Sequence, residues 1–156
     1  MSINISLKIN FIPYQKKEKI NYKIIINQLL NHSWDLYLNN KANFLPLNDN
    51  DMYNWTSKEI NKENLFLLLN QKHNAKEVIG ISLYYIKDKK NAIVDDNVHE
   101  ISLLFFEDHI SISLSYYTKY LDALNKKPDY NWYEEKIIEV LREIMYISFY
   151  SFEYIQ

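Results

Sequence analysis

The sequence predicts an α+β fold, an antiparallel sheet of at least four strands with helices packed on one face. Residues 99–117 supply the first observation, because apolar and polar side chains alternate on both sides of a tight turn at Glu107–Asp108. The second is the faultless alternation of Ile3–Phe11, and the third is the helical spacing of apolar residues within 132–147. The hairpin register pairs Phe105 with Ile110, Leu103 with Ile112 and Ile101 with Leu114. The sheet therefore has one dry face, which a slip of one residue would expose.

The first part of the chain predicts a strand, a helix and a short second strand. The strand covers residues 3–12 and ends near Pro13, which has no N–H to donate to a sheet. A helix over 17–32 follows from the spacing of its apolar residues, although the run Ile24–Ile26 also suits a strand. Residues 34–38 are a candidate short strand.

Residues 39–57 predict a long loop, because Asn and Asp side chains bond nearby backbone groups and Pro46 interrupts regular structure. Loops of this length inside compact domains are often functional. Thr56 or Ser57 is a candidate cap for a short helix, and residues 64–73 are a candidate for another helix.

The second half continues the sheet and adds the clearest helix. In order, the pattern predicts strand 77–86, a polar turn at 87–91, an acidic connection at 92–98, strands 99–106 and 109–117, and a helical turn within 118–125. Asp129 or Asn131 then caps a helix over 132–147. The tail 148–156 fits either a helical extension or a last strand. With 156 residues, of which 47% are apolar, we expect a single domain over 1–156.

Composition excludes several classes of function. The chain has no cysteine, which excludes disulfides, thiolate nucleophiles and zinc–thiolate sites. Its single glycine, Gly80, excludes the glycine-rich loops of P-loop and Rossmann nucleotide sites. Its single arginine, Arg142, argues against dedicated nucleic-acid recognition. The alternating N-terminus is unlike a signal peptide, and no apolar run reaches the roughly 18 residues of a membrane span. We therefore expect a cytoplasmic protein that binds neither membrane nor nucleic acid.

The histidines do not predict a metal site. In the predicted hairpin His99 and His109 are separated by on the order of 30 Å, too far to share an ion. His32 and His73 lie at predicted helix ends, where a cation suits the helix dipole. We therefore expect neither a metal nor another cofactor.

Catalytic groups are not evident in the sequence either. No serine lies in a Gly-x-Ser-x-Gly turn. Carboxylates occur in three pairs, all in predicted loops where water keeps them ionised: Asp49/Asp51, Asp95/Asp96 and Glu107/Asp108. The chain is therefore not expected to be an enzyme. The alternative is a small metal-dependent hydrolase or nuclease that uses these loop carboxylates.

Two surface features favour recognition of a partner protein. Residues 46–57 place acids beside Tyr and Trp, and such aromatics are enriched at interfaces while acids steer basic partners. Residues 91–156 contain 5 basic and 12 acidic residues, a net charge of −7, against +5 for residues 1–90 with 13 lysines and 8 acids. The candidate partner-binding residues are Asp49, Asp51, Tyr53, Trp55, Asp95, Asp96, Glu135, Glu139 and Glu143. The plain alternative is a solvated helix face and ordinary loops.

A short, cysteine-free, Tyr- and Asn-rich chain with these acidic segments resembles the immunity proteins of bacterial contact-dependent growth inhibition and related polymorphic toxin systems. The resemblance is carried by residues 46–57 (PLNDNDMYNWTS), residues 92–100 (AIVDDNVHE) and the Glu135/Glu139/Glu143 stripe. It implies a cytoplasmic, non-catalytic protein that binds one cognate toxin domain, often a nuclease, and blocks its active site. A third reading is a structural or adaptor domain whose surface tyrosines form a homodimer, so both monomer and homodimer stay open.

Overall fold

The computed structural model describes residues 4–13, 21–90, 97–114, 117–122, 124 and 127–155. The strands are β1 (Asn4–Pro13), β2 (Trp34–Asp35), β3 (Ala42–Phe44), β4 (Thr56–Lys58), β5 (Ile79–Ile86), β6 (Val98–Phe105), β7 (His109–Ser113), β8 (Tyr120–Asp122), β9 (Lys127–Pro128) and β10 (Met145–Ile155). The helices are α1 (Tyr22–Leu30), α2 (Lys62–Asn74), α3 (Tyr130–Tyr133) and α4 (Glu139–Leu141), with a π-helical turn, Glu134–Ile138, between the last two. We refer to residues 130–141 as the C-terminal helix.

One antiparallel sheet organises the chain and confirms the predicted α+β fold. Its strand order is β10-β1-β7-β6-β5-β3-β4, with β2 also paired to β5. Strands β8 and β9 form a separate two-stranded sheet. Side chains from α1, α2 and the C-terminal helix join those of the central strands in one apolar core. We call the sheet face that meets these helices the apolar face and the opposite one the polar face.

The predicted hairpin forms in the predicted register. Phe105 lies opposite Ile110, and Leu103 lies opposite Ile112. The third predicted pair, Ile101 with Leu114, does not form, because β7 ends at Ser113. The Leu114 amide instead donates to the Ile5 carbonyl of β1, at 2.9 Å. The end of this hairpin arm therefore bonds to β1 and not to β6.

The segment predicted as a loop, 39–57, is partly sheet. Residues 42–44 and 56–58 form β3 and β4, and Phe44 pairs with Ile81 of β5. Thr56 and Ser57 lie in β4 and cap no helix, so that prediction was wrong. Asn61 caps α2 instead, since its side-chain oxygen accepts from the Asn64 amide at 2.7 Å. Three residues are too few to show an alternation of apolar and polar side chains in the sequence. These segments can be recognised as strands only from their pairing with other strands.

The helix predicted over 17–32 is shorter at its C-terminal end. It ends at Leu30, and Asn21 caps its start by accepting from the Ile24 amide at 3.1 Å. Residues 17–20 lie outside the described part of the chain. The predicted helical turn within 118–125 is also wrong, because Tyr120–Asp122 is a strand paired with β9.

The last predicted helix ends six residues early. Asp129 caps it as predicted, accepting from the Trp132 amide at 3.2 Å, but the helix ends at Leu141 and not at Ile147. Residues 145–155 form β10, which pairs with the whole of β1. These residues pair with the open edge of β1 along its whole length. The hydrogen bonds and side-chain contacts of that pairing outweigh the intrinsic helix propensity of the segment. Ser148 is the extra residue of a bulge, since Ile147 and Phe149 pair with Phe11 and Asn10.

Among the described residues, no helix is both long enough and apolar enough to cross a membrane.

Candidate functional site

The polar face of the sheet carries a groove of about 480 Å³. Small polar side chains from β3 to β7 form its floor, and two aromatic residues from loops stand beside them. The residues that line it are Leu38, Asn43, Trp55, Ser57, Tyr84, Glu100, Ser102, Leu104, Ser111, Ser113 and Tyr117. The predicted alternation of the hairpin explains the serines, because every second residue of β6 and β7 points to this face. We call this site the serine groove.

Glu100 lies in the floor of the serine groove and is only 7% exposed. It is the direct cross-strand partner of Tyr84. The polar side chains of Ser82, Tyr84 and Asn43 lie around its carboxyl group. Burial raises the pKa of Glu100, and these three polar neighbours oppose that rise only in part. Burial and the neighbouring carboxylate also raise the pKa of the Tyr84 phenol.

The groups around Glu100 form a connected, uncharged network. Asn43 donates from Nδ2 to Ser82 Oγ at 2.9 Å, and Ser82 Oγ lies 2.9 Å from Ser102 Oγ. Within the described residues, no lysine, arginine or histidine nitrogen lies within 4 Å of the Glu100 carboxylate. The carboxylate therefore lies among neutral side chains and has no cation beside it in that part of the chain.

The single glycine supports one wall of the groove. A Cβ built on Gly80 would lie 2.7 Å from Leu45 Cγ and 2.9 Å from Trp55 Cη2. Both distances are too short for any other residue at this position without movement of its neighbours. The absence of a side chain at Gly80 thus lets Trp55 lie against the sheet and line the groove.

Residues 46–55, which we call the recognition loop, are held by buried charged groups. The Lys72 side chain, 1% exposed, donates to the Pro46 carbonyl at 2.6 Å and lies 3.4 Å from Glu77 Oε1. Glu77 Oε1 in turn accepts from the Asn48 amide at 2.7 Å. Asp49 is 8% exposed and accepts from two amides of its own loop, those of Tyr53 at 2.8 Å and Asn54 at 3.0 Å. The hydrated position expected for Asp49 was therefore wrong, because the loop folds around its carboxylate.

The backbone of the recognition loop is strained. Four of its residues, none of them glycine, have left-handed φ angles: Asn48 (61°), Asn50 (52°), Asp51 (57°) and Tyr53 (54°). Asn and Asp tolerate this region, but a bulky aromatic residue rarely enters it. With this backbone the loop turns Met52 and Tyr53 to solvent, with Met52 69% exposed. Trp55 of the same loop points the other way, into the serine groove.

The predicted acidic stripe is exposed but does not line the serine groove. Glu139 pairs with Arg142 at 2.6 Å, and Glu143 accepts from Gln28 Nε2 at 2.9 Å. The π turn changes the spacing of the stripe, because the Glu139 amide donates to Glu134 five residues back. Glu135 and Glu139 are therefore not aligned as on a regular α-helix. Asp95 and Asp96 lie outside the described residues.

A second cavity, of about 440 Å³, has the opposite character. It is lined by Tyr85, Lys87, His99, Lys119, Tyr120, Trp132 and Lys136. The Lys136 carbonyl, in the π turn, accepts from the Trp34 indole at 3.0 Å, which anchors the turn beside the cavity. Sequence reasoning missed this basic, aromatic site, since its residues come from four separate segments.

Sequence reasoning also missed Glu100 as a site residue. Its alternation with Ser102 was visible, but nothing in the pattern indicates that Asn43 and Tyr84 would enclose it. Of the predicted partner-binding residues that the structure describes, Trp55 alone lines the groove, while Asp51 and Tyr53 face solvent. Within the described residues, no three acidic or histidine side chains converge as they would around a metal ion.

No protein-family model, curated protein or solved structure matches the chain.

Proposed function

We propose that this chain is an immunity protein, which binds one cognate toxin domain and neutralises it by occupying the active-site cleft. The first class of target to test is a nuclease. The observation that carries the proposal is the recognition loop, whose fixed shape holds Met52 and Tyr53 in solvent.

The cost of this loop supports a binding role. Burying Lys72 and Glu77 as an ion pair contributes little net stability, because desolvation offsets the attraction. The left-handed backbone at Tyr53 is also unfavourable, by about 1–3 kcal/mol for such a residue. These two unfavourable terms are not offset by burial, because the loop exposes its apolar side chains to solvent. They add nothing to the stability of the domain itself. A binding surface does gain, because a loop already ordered loses less entropy when it meets its partner.

The exposed acids supply the second part of the proposal. Asp51 on the recognition loop and Glu135, Glu139 and Glu143 beyond it are all exposed. A toxin domain that binds nucleic acid has a basic cleft, which such charges attract during encounter. In this proposal the protein acts in the cytoplasm, without cofactor, membrane or nucleic-acid partner.

The test is to purify the chain with the product of the gene immediately upstream and to measure their complex. We expect a stable complex and loss of toxin activity within it. Tyr53→Ala and Met52→Ala should each weaken binding by about 2 kcal/mol, which is roughly 30-fold in Kd. Leu67→Ala is the matched control, since Leu67 is an exposed apolar residue on α2. Failure of the wild-type chain to bind or inhibit that product would contradict the proposal.

A second candidate function is catalysis by a small hydrolase or nuclease, and one observation favours it. Glu100 is a buried carboxyl group with a raised pKa in a groove that also holds hydroxyl groups, an arrangement common at active sites. The metal-dependent version predicts stabilisation by Mg²⁺, Mn²⁺ or Zn²⁺ in a thermal-shift assay. Turnover of a phosphodiester or ester that disappears in Glu100→Gln would favour this candidate over the first.

A further inference from the structure

We propose that the serine groove receives the side chain of one lysine or arginine, with Glu100 as its counterion. That this cation belongs to a protein toxin rests on the function proposed above. The chemistry of the groove does not depend on it.

The charge of the groove is the first argument. Glu100 is more than nine-tenths buried, and the polar side chains around it, Ser82, Tyr84 and Asn43, are neutral. Within the described residues it has no ion-pair partner. An ionised carboxylate in such a place is disfavoured unless a cation accompanies it. A ligand ammonium or guanidinium would supply that missing charge.

The walls of the groove are the second argument. Aromatic rings of Trp55, Tyr84 and Tyr117 line it, and cations bind favourably to the faces of such rings. Leu38 and Leu104 add apolar surface, which suits the aliphatic stem of a long basic side chain. A volume of about 480 Å³ lies within the range of small-ligand sites. In its ionised form Glu100 repels anions, so the groove favours a positively charged group.

The hydrogen-bond network beside Glu100 is the third argument, because it orders the neutral side chains that surround the carboxylate. Asn43, Ser82 and Ser102 are linked by contacts of 2.9 Å across β3, β5 and β6. A preorganised acceptor pays no reorganisation cost when the cation arrives. The same network would also exist if Glu100 were purely structural, so binding itself must be measured.

The experiment titrates the chain with Nα-acetyl-lysine methylamide and with its uncharged analogue, Nα-acetyl-norleucine methylamide, followed by NMR. We expect saturable binding of the lysine compound, at least tenfold tighter than that of the norleucine compound, with shifts centred on the groove residues. Glu100→Gln should weaken lysine binding at least tenfold. Glu107→Gln removes the same charge from the exposed hairpin turn and should leave binding unchanged.

Trp55→Leu is a second variant that keeps Glu100, and it should weaken lysine binding several-fold through loss of the aromatic wall. Equal affinity for lysine and norleucine compounds, unchanged binding by Glu100→Gln, or no saturation by the lysine compound would each overturn the inference.

The outcome of this experiment is separable from that of the proposed function. If a toxin binds and is inhibited but the lysine compound does not bind, the cation site fails and the immunity function stands. If the lysine compound binds but no toxin does, the cation site stands and the immunity function fails.

Discussion

Glu100 and Tyr84 lie directly opposite each other on strands β6 and β5, with both side chains on the polar face of the sheet. Among the described residues that line the serine groove, Glu100 is the acidic one. Its burial raises the pKa of Glu100, so folding favours the protonated carboxyl over the ionised one. That preference links the stability of the fold to pH.

The first prediction concerns this linkage. Because the folded pKa of Glu100 lies above the unfolded value, its contribution to stability is present at low pH and is lost as pH rises through the folded pKa. Glu100→Gln cannot ionise. We therefore expect its melting temperature to rise relative to wild type as pH increases from about 4 towards neutrality. Thermal melts across this range measure the difference, with Glu107→Gln as control; a constant difference at all pH values would contradict the prediction.

The second prediction concerns Gly80. An alanine there would place its Cβ 2.7 Å from the buried Leu45 and 2.9 Å from Trp55. We expect Gly80→Ala to lower the free energy of unfolding by about 1–3 kcal/mol, as overpacking does. Urea denaturation measures the loss. Ser57→Ala adds no atoms at an exposed position nearby and should change stability by less than about 0.5 kcal/mol.

The third prediction concerns the anchor of the recognition loop. Lys72→Met leaves the Glu77 carboxylate and the Pro46 carbonyl without their cation. We expect a loss of about 3–5 kcal/mol, the usual result of breaking a buried pair on one side. Lys89 is the control, because its side chain is 70% exposed and its partner Asp35 is about one-third exposed; Lys89→Met should cost less than about 1 kcal/mol. Equal losses of stability for the two variants would contradict the prediction that the Lys72 contacts contribute more than those of Lys89.

The fourth prediction separates the two acids of the recognition loop. Asp49 accepts from two loop amides, whereas Asp51 is exposed. Asp49→Ala should reduce stability by about 1–3 kcal/mol, and Asp49→Asn should recover part of this because one oxygen still accepts. Asp51→Asn should leave stability unchanged and slow association with a basic partner. Denaturation and stopped-flow binding measure these effects, and a destabilised Asp51→Asn would contradict the assignment.

The hairpin and β1 could be predicted from the sequence because alternation is a local property. Each apolar residue from Ile3 to Phe11, or from Ile101 to Ile112, has its neighbours on the same face two positions away. Composition was equally informative. A single glycine excludes glycine-rich nucleotide-binding loops, and the absence of cysteine excludes disulfides and thiolate sites. The α+β fold followed from these local patterns and was confirmed.

The sequence by itself thus determined the fold class, the hairpin register and the apolar face of the sheet. Only the tertiary structure decided that residues 145–155 form a strand, because their partner, β1, lies at the other end of the chain. It also decided that Glu100 is enclosed, since Asn43, Tyr84 and Trp55 come from three distant segments. Local side-chain spacing reports which face a residue occupies. Burial of that face depends on long-range pairing, which no short stretch of sequence contains.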